Sequence, residues 1–137
     1  MKINQVMSTN VVVTDPCQSV ENVAKLMYEH NIGSVPVCEH GTVHGVLTDR
    51  DIVLRCVAAG RNAATLKAHE IMTSGAVYTT PQADVSEALH LMSGEQVRRL
   101  PVVQNGKIQG IVSIADIARS QAGPELSEAI SDISRPC

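Results

Sequence analysis

Apolar positions recur along this chain in two rhythms. Val20, Val23, Ala24 and Met27 fall at i, i+3, i+4 and i+7, and so do Val85, Ala88, Leu89 and Met92. That spacing predicts two amphipathic helices, each with one apolar stripe. Ser19 and Asp84 stand just ahead of the stripes, where a side-chain oxygen caps free backbone N–H groups. Asn31 and Gly94 lie near the expected helix ends. Shorter extended runs flank the helices. Asn10 to Thr14 and Gly75 to Thr79 come first, closed by Pro16 and Pro81. Ser34 to Cys38 and Val43 to Thr48 follow the first helix, and Arg99 to Val103 and Ile108 to Ser113 follow the second. Glu39-His40-Gly41 and Gln104-Asn105-Gly106 separate these pairs, and Asn-Gly between apolar runs is a strong hairpin signal. A further helix is predicted from near Asp51 to about Ala59, stopped by Gly60, and its partner from Asp116 to Gln121.

The rhythms repeat because the sequence does. At a 65-residue offset, Val6-Met7-Ser8 falls on Ile71-Met72-Thr73, Thr14 and Pro16 on Thr79 and Pro81, Pro36-Val37 on Pro101-Val102, and Asp51-Ile52 on Asp116-Ile117. No gap is needed. The expected organisation is therefore a first repeat over 1–65, a second over 66–126 and a tail over 127–137 to which the pattern assigns no role. Each repeat reads β-α-β-β-α, an α/β chain of the α+β kind. A unit of about 60 residues buries too little surface to be comfortable alone, so the copies are expected to pack by pseudo-twofold symmetry.

Composition narrows the chemistry. The 137 residues are 44% apolar with no Trp or Phe, so aliphatic side chains and Met must fill the core. A net charge of −3 without a basic patch argues against nucleic-acid binding. No run approaches the roughly 20 apolar residues that span a bilayer, and the opening residues lack a signal-peptide core, so a cytoplasmic location and no membrane partner are expected. Cys17, Cys38, Cys56 and Cys137 form no C-x-x-C pair, and the five histidines share no ligand spacing, although the expected hairpin would let His40 and His44 meet across it. A Cys17–Cys38 redox pair and a His40–His44 metal site are the weaker alternatives. No metal and no catalytic signature are expected.

The chemistry-bearing phrase is Gly45-Val46-Leu47-Thr48-Asp49-Arg50-Asp51, matched by Gly110-Ile111-Val112-Ser113-Ile114-Ala115-Asp116. It supports two readings. Ser/Thr-x-x-Asp at a strand-to-helix junction is a capping box that needs no ligand. The same junction offers backbone N–H groups and a hydroxyl to a phosphate, and a carboxylate to two ribose hydroxyls. Pro36 and Pro101 mark backbone not fully committed to a sheet ladder, or else guard an edge. The copies also differ. Asp49-Arg50 stands where the second has Ile114-Ala115, and Arg98-Arg99 stands where the first has Gly33-Ser34.

The duplication, the element order and the G-h-h-S/T-x-x-D endings resemble the tandem cystathionine-β-synthase-type (CBS) domain pair, or Bateman module, from about Val6 to Ala122. Val35-Pro36-Val37 and Val97-Arg98-Arg99-Leu100-Pro101-Val102-Val103 look like typical members, of the small stand-alone bacterial class. The resemblance implies a non-catalytic sensor that requires no cofactor and holds a regulatory adenosine ligand (AMP, ADP, ATP or S-adenosylmethionine) in clefts between the repeats. It implies that Asp51 and Asp116 bind ribose and that Thr48 and Ser113 approach phosphate. Asp49, Arg50, Arg98 and Arg99 are counted with the site, Arg50 either meeting a phosphate or pairing with Asp49 or Asp51, and Arg98 and Arg99 either reaching phosphate or lying in solvent. Thr14 and Thr79 would lie near the nucleoside, with Val35, Pro36, Leu100 and Pro101 framing the base. A homodimer is implied, with Ile52, Cys56 and Ile117 in the contact, and an effector protein as recipient of the signal. A structural or interaction module with vestigial sites is the rival reading.

Overall fold

A computed structural model describes residues 1–75, 77–120 and 123–134. The chain forms two compact units whose boundaries differ from those of the sequence repeats. One unit is Val12–Ala76, and the other joins Met1–Val11 to Val77–Cys137.

In the Val12–Ala76 unit, helix α1 spans Val20–His30, with the Ser19 hydroxyl accepting from Asn22 N and Asn31 closing the helix in the left-handed conformation. Strands β1 (Ser34–Glu39) and β2 (Thr42–Thr48) form an antiparallel hairpin. Positive φ at His40 and Gly41 gives its turn the twist that suits two right-twisted strands. Helix α2 (Asp49–Ile52) runs directly into a π-helical stretch, Val53–Val57, and Gly60 at φ +70 follows. The expected α-helix to Ala59 is thus half π, with Arg61 N reaching back five residues to Cys56 O. Helix α3 (Ala68–Ile71) and strand β3 (Thr73–Ser74) complete the unit, β3 pairing with Gly45 and Val46 of β2. The core holds Val20, Val23, Val35, Leu47 and Cys56, together with Leu66, Ala68 and Ile71.

The other unit repeats the plan. Helix α4 (Val85–Glu95) is capped by Asp84, then β4 (Arg99–Gln104) and β5 (Lys107–Ser113) pair antiparallel through a turn with positive φ at Asn105 and Gly106. Helix α5 covers Ile114–Ser120; Gln121, its expected last residue, lies outside the described residues. Gly94 sits inside α4, and Gln96 takes the left-handed closing position. Ile3, from a short 3-10 turn, is fully buried in this core beside Val85, Leu89, Met92 and Leu100. The tail has a place after all. Helix α6 (Pro124–Ser134) packs on α4 and sinks Leu126 and Ala129 into the same core.

The expected first strands contract to single bridging residues. Thr14 bridges Val37 and Thr79 bridges Val102, both in parallel. Thr14 donates to Pro36 O at 3.0 Å and accepts from Cys38 N at 2.8 Å; Thr79 does the same with Pro101 and Val103. A residue's N and O point to one side of a strand, so each Pro lacks its N–H on the side away from the hairpin partner. The ladder to β2 or β5 loses nothing.

Candidate functional site

Both Ser/Thr-x-x-Asp corners form complete reciprocal caps. Thr48 N donates to Asp51 Oδ2 at 3.0 Å, and Asp51 N donates to Thr48 Oγ1 at 3.1 Å. Ser113 N donates to Asp116 Oδ2 at 3.0 Å, and Asp116 N donates to Ser113 Oγ at 3.0 Å. The capping reading is therefore realised in full. It also uses the Asp51 and Asp116 N–H groups, donors that the sequence had offered to a phosphate, while each hydroxyl accepts through a lone pair and keeps its O–H to donate.

What the cap leaves over differs between the corners. Asp51 is only 9% exposed, and its carboxylate meets three side-chain or backbone neighbours. Besides Thr48 N, the Thr73 hydroxyl lies 3.5 Å from both oxygens and Arg55 Nε lies 4.0 Å from Oδ1. These last two contacts are long, so Oδ1 retains accepting capacity. Arg55 also donates to the carbonyls of Ile71 at 3.0 Å and Met72 at 3.4 Å, tying the π-helical stretch to the end of α3. Asp116 is a little more open, and its Oδ1 is taken by Arg119. Neither Arg55 nor Thr73 stood out in the sequence. An Arg four residues after the Asp was the available signal for the first, and no local pattern marked the second.

The two motif glycines have a mechanical role. A methyl built on Gly45 would stand 2.7 Å from the Thr73 carbonyl oxygen, and one on Gly110 would stand 2.6 Å from that of Ser8. The strip Met72-Thr73 thus presses on one hairpin and Met7-Ser8 on the other, in matching positions. Only glycine permits that approach.

The remaining expected residues separate into two groups. Val35 and Leu100 are 0% and 1% exposed and belong to the two cores, so any part they take in a site falls to their main chain. Thr14, Thr79, Pro36 and Pro101 are buried along the bridged edges just described. Asp49, Arg50 and Arg98 are exposed, and Arg99 is half-buried. Asp49 N donates to Gly33 O and Ile114 N donates to Arg98 O, each at 2.9 Å, so these backbones frame the two corners alike. Cys56 and Ile117, expected at a dimer contact, face their own cores instead, because they fall on the inward side of their helices. Val53, Leu54 and Val57 are the exposed apolar residues there. Cys17, Cys38 and Cys56 are free thiols, and Cys137 lies outside the described residues. Burial raises the Cys38 pKa above the ordinary thiol value.

Comparison with known proteins now decides the family. The CBS-domain profile matches twice, over 3–57 and 68–123. This chain belongs to the CBS-domain family. The CBS domain-containing protein YhcV of Bacillus subtilis is 38% identical over 133 residues, covering 96% of this chain and 94% of its own. Hypoxic response protein 1 of Mycobacterium tuberculosis is 35% identical over 132 residues, covering 96% and 92%. A crystal structure of Hypoxic Response Protein I with two coordinated zinc ions aligns at a TM-score of 0.83, with 36% identity, over 89% of this chain and all of that one. The CBS domain pair of protein MJ0100, solved in complex with 5′-methylthioadenosine and S-adenosyl-L-methionine, aligns at 0.78 with 26% identity, over 88% and 94%. The protein is thus an α+β CBS pair, a regulatory module. Among the described residues of this CBS pair, no group of three or more His, Cys, Asp or Glu side chains is placed to hold a metal ion. No described helix is long and apolar enough to cross a membrane.

Proposed function

We propose that this CBS pair is a non-catalytic sensor of an adenosine-containing ligand, held at the Thr48–Asp51 and Ser113–Asp116 corners. The observation that carries the reading is the division of labour within the Asp51 carboxylate. Oδ2 is fixed by the cap, so the group is oriented, while Oδ1 is only lightly engaged by Thr73 and Arg55. A fixed, largely buried carboxylate with one free face suits a vicinal diol, which supplies two O–H donors. The adenosine derivatives held by MJ0100 favour the same ligand class. We infer further that the signal leaves by contact with a second copy or an effector protein, for which the apolar Val53, Leu54 and Val57 provide surface.

Asparagine at the two positions tests this reading cleanly, because it can still accept the capping bond. A ligand at 100 times its Kd stabilises the fold by about 2.7 kcal/mol. A thermal-shift panel of AMP, ADP, ATP and S-adenosylmethionine should show such a gain for at least one ligand. Asp51→Asn with Asp116→Asn should abolish it while leaving the ligand-free melting temperature nearly unchanged. No shift with any of them at millimolar concentration would sink the proposal and favour a purely structural module.

A further inference from the structure

The two corners share one backbone frame but differ in charge. In the first, Asp49 N donates to Gly33 O, and Ser34 pairs across the hairpin with Thr48. In the second, Ile114 N donates to Arg98 O, and Arg99 pairs across with Ser113. Gly33 therefore corresponds to Arg98, Ser34 to Arg99, and Asp49 to Ile114. The exchange is concerted. A Cβ on Gly33 would come within 2.7 Å of Asp49 Oδ2, so a side chain at that place displaces the carboxylate. The second repeat has made both changes.

Four charges stand at each corner. Asp49 and Asp51 offset Arg50 and Arg55 at the first, whereas Arg98, Arg99 and Arg119 leave a surplus of two positive charges over Asp116 at the second. Arg55 and Arg119 are already engaged with their own aspartates. Among the described residues, neither Arg98 nor Arg99 takes part in an ion pair. Two guanidinium groups beside the Asp116 carboxylate, whose Oδ1 is shared with Arg119, match a polyanionic tail on a ribose. A carboxylate at the equivalent place repels one.

We propose that the two corners divide adenosine ligands by charge, the second accepting the phosphorylated class and the first disfavouring it. This rests on the adenosine reading above. Calorimetric titration of the full chain with ATP and with adenosine, which lacks phosphate, separates the two ideas. Arg98→Gln with Arg99→Gln should weaken ATP by roughly tenfold or more, the effect of losing charge-assisted hydrogen bonds. Adenosine affinity should stay within about twofold, which also shows that the variant is folded. The reciprocal variant, Gly33→Arg with Asp49→Ile, should create a second ATP site on the chain. ATP binding that is indifferent to the arginine variant but lost in Asp116→Asn would overturn the charge assignment and leave the adenosine reading standing. A wild-type chain that bound neither ATP nor adenosine would overturn both.

Discussion

Single residues in this CBS pair show how much a missing or present methyl decides. Gly45 and Gly110 sit under carbonyl oxygens of a crossing strip, so Gly45→Ala or Gly110→Ala forces backbone apart and should cost about 1–3 kcal/mol, read as a lower melting temperature. Gly94 is the opposite case. It lies inside α4 with open space around it, and Gly94→Ala should raise stability by about 0.5–1 kcal/mol. Asp84 adds a pH signature. Hydrogen bonds from the Ser86 backbone and then from its hydroxyl hold the carboxyl below its ordinary range. A depressed folded value means the contribution is complete above the unfolded value near ~4 and fades as pH falls through the folded one. Asp84→Asn should remove that acid-side component from a plot of melting temperature against pH. At this scale the sequence was most legible where chemistry is local. The Ser19 and Asp84 caps and the Thr48–Asp51 and Ser113–Asp116 boxes involve neighbours within three residues. Thr73 was not legible as a partner of Asp51, because that contact depends on how β3 pairs with β2, and the i, i+4 spacing of Arg55 gave no sign of the Ile71 and Met72 carbonyls that hold it.

At the scale of elements, the helices and hairpins follow the apolar period closely, and the departures have identifiable causes. The first strands shrink to Thr14 and Thr79 because only one residue of each run bonds a Pro-bearing edge. The second helix widens to a π turn that leaves Val53, Leu54 and Val57 outside while Cys56 stays in the core. Helix α6 is the instructive omission. Leu126, at the end of the second repeat, and Ala129, Ile130 and Ile133, past it, keep the helical period, yet at the 65-residue offset no matching apolar stripe in the first half draws attention to them. Packing gives the helix its value. Leu126→Ala should cost about 2 kcal/mol or more, visible in chemical denaturation as a lower midpoint with little change of slope.

The whole molecule is not two repeats laid end to end. Leu66, Ala68 and Ile71 complete the core of the Val12–Ala76 unit although the sequence repeat closes at 65, and Ile3 completes the core of the other. The repeat was legible because duplication survives in residue identities; the exchange of leading segments was not, since identities carry no record of which copy a segment packs on. A fragment of residues 12–76 should accordingly keep more protected amides in hydrogen exchange than a fragment of residues 1–65, despite similar length. Interleaving of this kind also sets an order of events on the ribosome. Residues 1–11 leave the exit tunnel before any of their partners exist, and the Val12–Ala76 segment can close its own core while Ile3 still waits in solvent. At about 5–20 residues per second, the partners from Val77 onward take a further ~3–12 s to appear. Residues 1–11 are thus made before the Val12–Ala76 core and buried after it.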